Sequence, residues 1–177
     1  MKHQDVIIAG FGGQGILSAG RILAQAGMLE NKNVSWFPSY GPEMRGGTAN
    51  CNVIISEETV GSPVINIATS LIAMNGPSLD KFENMVASGG VIITDSSLVE
   101  RAPKRDDVNV YRIPATKTAL DMGSGTFATI ILLGKLIAAT NIVSKDSFIE
   151  ALKKTLPEKK HYMIPDEIKA LEYGMEF

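Results

Sequence analysis

The sequence predicts an α/β fold with a mainly parallel sheet, and three observations support this class. Short β-branched apolar runs alternate with longer segments whose apolar residues recur at helical spacing. Glycine, proline or asparagine stands at most of the junctions between them. The length of 177 residues is typical of one domain. We therefore expect residues 1–177 to form a single Rossmann-like, three-layer domain with right-handed crossovers.

Six segments are predicted strands because each is a short apolar run that ends at a residue typical of a turn. The first, with the sequence DVIIA, ends in glycines and is expected to be a buried parallel strand. Pro38 and Pro114 stop the second and sixth, and Asp95 closes the fifth. In chain order the predicted strands are residues 5–9, 33–37, 48–56, 70–74, 91–94 and 108–113.

Six segments are predicted helices. In the first, Ile16 and Leu23 are seven residues apart and lie on one face. In the second, Leu79 and Phe82 begin an apolar face, and Gly89-Gly90 is expected to mark the end of the helix. In chain order the predicted helices are residues 14–29, 78–87, 115–122, 127–139, 145–154 and a last one after Pro165.

Composition excludes several kinds of function. The 17 basic and 19 acidic residues give a net charge of −2, without the basic excess of a nucleic-acid binder. One cysteine, Cys51, cannot form a disulfide framework, a cysteine-only zinc site or an iron–sulfur cluster by itself. The two histidines, His3 and His161, are too few and too far apart for a metal site. We therefore expect redox or metal chemistry to come from a cofactor or a partner.

Membrane and targeting signals are not evident. An acid, Asp5, stands where a signal peptide would carry its basic region, so a cytoplasmic location is expected. The charge-free residues 59–79 are interrupted by glycine and proline, and residues 126–143 carry Lys135 in mid-run. We interpret the second run as a buried helix.

A glycine loop, Gly10-Phe11-Gly12-Gly13-Gln14-Gly15, lies between the first strand and the first helix. This context suits a phosphate, which free N–H groups at a helix start attract. A dinucleotide site also needs an acid at the end of the second strand, where the sequence reads SWFP. The hypothesis that the loop binds NAD therefore lacks the acidic residue that would bind the ribose hydroxyls. A phosphate-bearing ligand and a tight turn that binds nothing both remain open.

The loop after the second strand combines aromatic, acidic and basic residues with glycine and proline. We expect it to face a ligand or a partner, although a solvated surface turn is the alternative. Its candidate contact residues are Tyr40, Gly41, Pro42, Glu43, Met44, Arg45, Gly46 and Gly47.

Several stretches together carry a resemblance to a known family. They are residues 10–20, residues 38–47, residues 51–56, residues 61–63 and Leu133-Gly134. In this order they resemble the gamma subunit of 2-oxoacid:ferredoxin oxidoreductases, from Asp5 to about Thr140. The segment Gly125-Thr126-Phe127-Ala128 departs from the family pattern because no asparagine precedes the late helix.

The resemblance implies a subunit that is inactive alone. Thiamine diphosphate, Mg²⁺ and iron–sulfur clusters would belong to partner chains. The complex would convert a 2-oxoacid, with 2-oxoglutarate the first candidate, to its acyl-coenzyme A and reduce ferredoxin. Branched-chain 2-oxoacids, pyruvate and indolepyruvate remain open. The resemblance also implies that coenzyme A (CoA) binds at Gly12, Gly13, Gln14, Gly15 and Ile16.

Two alternatives stay open: a stand-alone NAD or flavin oxidoreductase, and a structural scaffold. The first and late helices each carry one charge, Arg21 and Lys135, so we expect a protein partner to cover both. When isolated, the chain could pair with itself.

Cys51 is expected to be a buried small residue. Asp95 is either a functional group at the ligand end of the sheet or a cap.

Overall fold

The computed structural model describes residues 3–39 and 48–177. Its centre is a six-stranded sheet in the order β2-β3-β1-β4-β5-β6. The strands are β1 (His3–Phe11), β2 (Asn33–Ser39), β3 (Thr48–Ser56), β4 (Ala68–Ala73), β5 (Val86–Asp95) and β6 (Asn109–Ile113).

Helices cover both faces of the sheet, which confirms the three-layer Rossmann-like fold. They are α1 (Ile16–Leu29), α2 (Gly76–Phe82), α3 (Ala115–Asp121), α4 (Phe127–Thr140), α5 (Lys145–Thr155) and α6 (Ile164–Glu176). Five of them, all except α2, pack into one apolar core on the first face. On the opposite face, Leu79 and Phe82 of α2 join a smaller core. Alternate residues of β1 divide between the two cores, as the period of a strand requires.

The sheet is mainly parallel, as predicted, with one reversed strand. β1, β4, β5 and β6 are parallel neighbours, whereas β3 runs antiparallel to both β1 and β2. Parallel neighbours need a connection of about a dozen residues or more, and only residues 40–47 separate β2 from β3. The short connection therefore favours the antiparallel pair, although the apolar pattern of β3 does not reveal its direction.

Three predicted boundaries are wrong. The second helix ends at Phe82 and is followed by a short 3-10 helix, Glu83–Met85, so it does not reach residue 87. Gly89 and Gly90 lie within β5, where the register against β4 shifts and Gly89 has a φ of +76°. Pro38 does not stop β2, because an edge strand accepts a proline that an inner strand would exclude.

The expectation that a partner covers α4 is also wrong. This helix is buried by its own chain, on one side by the sheet and α3 and on the other by α6. Gly134 and Gly174 allow the α4 and α6 backbones to approach closely. The single charge, Lys135, lies over the ring of Tyr111 at 4.3 Å from its centroid. On α1, by contrast, an outer strip that includes Arg21 is exposed.

Among residues 3–39 and 48–177, no helix is both long enough and apolar enough to cross a membrane.

Glu30 connects the end of α1 to the start of α5. Its Oε1 accepts a hydrogen bond from the Ser144 N–H at 2.6 Å, and its Oε2 pairs with Lys32 Nζ at 2.7 Å. Burial alone would raise the pKa of Glu30, but Lys32 and the Ser144 and Ser147 donors lower it to about 2. The carboxylate therefore stabilises the fold above pH 4.5, and this contribution is lost as the pH falls towards 2.

We expect Glu30→Gln to lower the free energy of unfolding at pH 7 by about 1–2 kcal/mol. The difference from the unmodified chain should shrink between pH 4.5 and pH 2, since the native carboxylate becomes protonated there. Urea unfolding at several pH values measures both effects. Glu57→Gln, at an exposed position, is the control. Parallel stability curves for Glu30→Gln and the unmodified chain would contradict the assignment.

Candidate functional site

The glycine loop joins the carboxyl end of β1 to the first turn of α1, as predicted. Gly12, Gly13 and Gly15 are exposed. Gly13 has a φ of +90° and Gly15 a φ of +78°, which are backbone conformations that other residues rarely adopt. The backbone turns sharply here, and its polar groups face solvent at the carboxyl edge of the sheet.

Gln14 shapes the loop from within. Its Oε1 accepts a hydrogen bond from the Phe11 N–H at 2.6 Å, while its own N–H donates to the Phe11 carbonyl at 3.3 Å. Gly10 makes room for this arrangement, because a Cβ at that position would lie 2.5 Å from Gln14 Oε1 and 2.8 Å from Ile16 Cδ1. Gln14 therefore holds the turn closed.

The start of α1 is open to an anion. Gly15 is its N-cap, no side chain caps the helix, and its first turn carries no acidic residue. Within the described residues, no hydrogen bond uses the N–H of Gly12, Gly13 or Gly15. Uncapped N–H groups at a helix N-terminus carry partial positive charge and bind phosphate or carboxylate groups.

A cleft of about 400 Å³ opens on one side of the loop. The described residues of its walls come from five separate stretches of chain and carry no charged side chain; they are Gly13, Gln14, Gly15, Met74, Leu98, Thr116, Gly125, Thr126 and Ala128. A second groove, of about 270 Å³, lies on the other side of the loop and is bounded by Phe11, Ser18 and Ala49. Sequence reasoning did not identify Leu98 or Thr116 as lining residues, because only the fold brings them to the loop.

Asp95 makes capping hydrogen bonds, which is one of the two roles that the sequence left open. It is fully buried at the end of β5. Its carboxylate accepts hydrogen bonds from the backbone N–H and the hydroxyl of Thr116 and from the Ser97 N–H. These bonds fix the start of α3 and thereby place Thr116 in the cleft wall.

The structure brings the predicted loop residues together, with different exposures. The Ile16 side chain is 2% exposed and belongs to the core, so only its backbone can face a ligand. The predicted partner loop, Tyr40 to Gly47, lies outside the described residues. Thr48, the first described residue after it, pairs with Phe11 at the glycine loop.

Cys51 is buried in β3, as predicted. Burial raises the pKa of its thiol to about 12, against a smaller lowering by Trp36. The sulfur contacts the Ile16 carbonyl at 3.6 Å. A thiol with this pKa stays protonated at neutral pH and is not a nucleophile. Within the part of the chain that the structure describes, no group of three His, Cys, Asp or Glu residues could hold a metal ion.

The chain is similar to a known protein family and to proteins of known name. The family model described as pyruvate ferredoxin/flavodoxin oxidoreductase matches residues 5–177. A ketoisovalerate oxidoreductase subunit VorA from Methanothermobacter marburgensis is 40% identical over 99% of this chain, which spans only 37% of that relative. A 2-oxoglutarate synthase subunit KorC from Methanocaldococcus jannaschii is 37% identical over 88% of this chain and 85% of that relative.

Two solved structures share the fold. The gamma subunit of a keto/oxoacid ferredoxin oxidoreductase from Geobacter sulfurreducens superposes with a TM-score of 0.84 at 31% identity, covering 98% of this chain and 96% of that one. A 2-oxoglutarate:ferredoxin oxidoreductase from Magnetococcus marinus, with 2-oxoglutarate, CoA and succinyl-CoA bound, superposes with a TM-score of 0.88 at 25% identity. It matches 99% of this chain and 31% of that one. With its family model matched from residue 5 to residue 177, this chain belongs to the pyruvate ferredoxin/flavodoxin oxidoreductase family.

Proposed function

We propose that this chain is the gamma subunit of a multi-subunit 2-oxoacid:ferredoxin oxidoreductase and that it contributes to CoA binding and to assembly. The observation that carries the CoA assignment is the glycine loop, whose exposed N–H groups adjoin the 400 Å³ cleft. Family membership and the likeness to gamma subunits support the subunit role.

The loop fits the phosphates of CoA. Its N–H groups and the uncapped start of α1 supply positive partial charge, and no acidic side chain of the described residues lines the adjoining cleft. When bound, CoA supplies the thiol that accepts the acyl group. The residues of this chain would hold and orient it: the loop backbone at the phosphates and the Thr116 and Thr126 hydroxyls along the cleft wall.

The remaining chemistry is proposed to reside on other chains. The described residues offer no metal-ligand cluster, and the chain spans about a third of the length of the VorA relatives that it matches. Thiamine diphosphate, Mg²⁺ and iron–sulfur clusters would therefore be held by partner subunits, which would pass electrons to ferredoxin. The relatives bear the names of ketoisovalerate, 2-oxoglutarate and pyruvate enzymes. We take 2-oxoglutarate as the first substrate to test and the other two as alternatives.

The test is anaerobic purification of the native assembly through a tag on this chain. We expect thiamine- and iron–sulfur-bearing chains to copurify and to reduce ferredoxin in a reaction that needs both a 2-oxoacid and CoA. The isolated chain should bind CoA in calorimetry and turn over nothing. Turnover by the isolated chain, or tight NAD or FAD binding without a response to CoA, would favour the stand-alone oxidoreductase instead. A scaffold would assemble without binding CoA.

A further inference from the structure

A third cleft, of about 220 Å³, lies between α1, α4 and the start of α6. Gly15, the N-cap of α1, borders both this cleft and the 400 Å³ cleft. Ala19, Ile22 and Ile130 make much of its wall apolar, and Lys160 and Glu167 contribute charged side chains. A molecule held by its phosphate at the glycine loop could therefore extend between the helices towards Glu167.

One oxygen of Glu167 has no partner among the described residues. The residue is only 6% exposed, and no described group forms a hydrogen bond with its buried Oε2. No ion pair among the described residues includes it. Burial raises the pKa of Glu167, and the charge of Lys160 only partly opposes this. A buried polar atom without a partner is costly, which makes this position one that a ligand could satisfy.

Glu167 lies on the buried face of α6, where a carboxyl group is unusual. The buried face of this helix also contains Ile164, Ala170, Leu171 and Gly174, at the spacing of a packing face. An apolar side chain would suit that pattern at residue 167 and would avoid the cost of burial. Packing of α6 therefore does not account for the carboxyl group, and a ligand N–H group would give its buried oxygen a partner.

We propose that Glu167 accepts an N–H hydrogen bond from the ligand whose phosphate the glycine loop holds. This inference rests on the proposed function, in which the ligand is CoA. Its matching donors are the exocyclic amine of adenine and the amides of the pantetheine arm. Glu167 is thus a binding and specificity residue in the cleft that shares Gly15 with the cleft at the loop.

The test uses the assembled oxidoreductase with Glu167→Leu and Glu167→Gln. Loss of the acceptor in Glu167→Leu should weaken CoA binding about tenfold, whereas Glu167→Gln, which keeps an oxygen acceptor, should stay within about threefold. Thermal unfolding of Glu167→Leu should be unchanged or shifted upwards, because a buried carboxyl group is removed. Glu176→Leu, exposed on the same helix, is the control.

Ligand fragments distinguish the two donors. If the adenine amine is the donor, the unmodified complex should bind CoA more tightly than 1,N6-etheno-CoA, and Glu167→Leu should abolish that preference. If a pantetheine amide is the donor, the substitution should weaken phosphopantetheine and leave 3′,5′-ADP unchanged. Glu167→Ala replaces Glu167→Leu if the latter does not assemble.

Equal affinity of the unmodified and Glu167→Leu complexes for CoA and for all fragments would overturn the proposal. The same complex carrying Gly13→Ala separates this failure from failure of the proposed function. If Gly13→Ala weakens CoA and Glu167→Leu does not, only the role of Glu167 is wrong. If neither substitution affects CoA, the proposed CoA site itself is wrong.

Discussion

Gly174→Ala is expected to destabilise the domain by about 3 kcal/mol or more, a large part of the ~5–15 kcal/mol that holds a typical domain folded. A Cβ at Gly174 would overlap the Ile131 carbonyl oxygen on α4 and lie 2.7 Å from the carbonyl carbon. These are backbone atoms and cannot rotate away. The two helices would have to separate along their buried contact.

A loss of stability in Gly174→Ala would be specific evidence for the close contact between α4 and α6. Glycine to alanine within a helix ordinarily stabilises by about 1 kcal/mol, so a large loss can only come from the crossing of α4 and α6. Gly76→Ala is the matched control, because a Cβ at the start of α2 meets nothing within 4 Å. Chemical denaturation of both variants measures the difference. Equal stabilities for Gly174→Ala and Gly76→Ala would show that the helices do not approach as closely as described.

Gly13→Ala is expected to raise the KM for CoA of the assembled enzyme on the order of tenfold, the loss of about one charge-assisted hydrogen bond. The φ of +90° at Gly13 disfavours any residue with a Cβ. The new methyl group meets no atom of the described residues within 4 Å, so it would not disturb their packing. This backbone effect acts on the N–H groups proposed to hold the phosphates.

Gly89→Ala provides the matched control for this substitution. Gly89 has a φ of +76°, and its Cβ would also meet nothing within 4 Å, but it lies at the opposite edge of the sheet. The two variants should therefore lose similar stability while only Gly13→Ala changes the KM for CoA. If Gly13→Ala and Gly89→Ala had similar KM values for CoA, the glycine loop would not take part in CoA binding, and the scaffold hypothesis would be favoured.

Local sequence signals predicted the elements more accurately than their mutual arrangement. Apolar period and turn residues located the six strands and the six α-helices of the described residues, because both signals are properties of neighbouring residues. They misplaced the end of α2, since Gly89 and Gly90 act as an irregularity within β5. They also led to the wrong explanation for α4. The apolar sequence of α4 indicates that the helix is buried. It does not indicate whether α6 or another protein buries it.

The candidate site shows the same division. The glycine loop could be predicted because its motif is contiguous and stands between a strand and a helix. The clefts around it could not, since Thr116, Leu98 and Thr126 reach the loop from elements far apart in the sequence. No sequence pattern marked Glu167 as a candidate site residue. A glutamate in the first turn of a predicted helix is ordinary, and only the fold shows that its oxygen is buried and that its side chain lines a cleft that also borders Gly15.

The sequence by itself determined the α/β class, the order of the elements, the glycine loop and the resemblance to a family, since each is written in contiguous residues. The tertiary structure alone decided the burial of α4 by α6, the role of Asp95 as a cap and the position of Glu167. These features depend on contacts between distant segments. Such contacts form only when the whole core packs, and no local pattern of residue types encodes them.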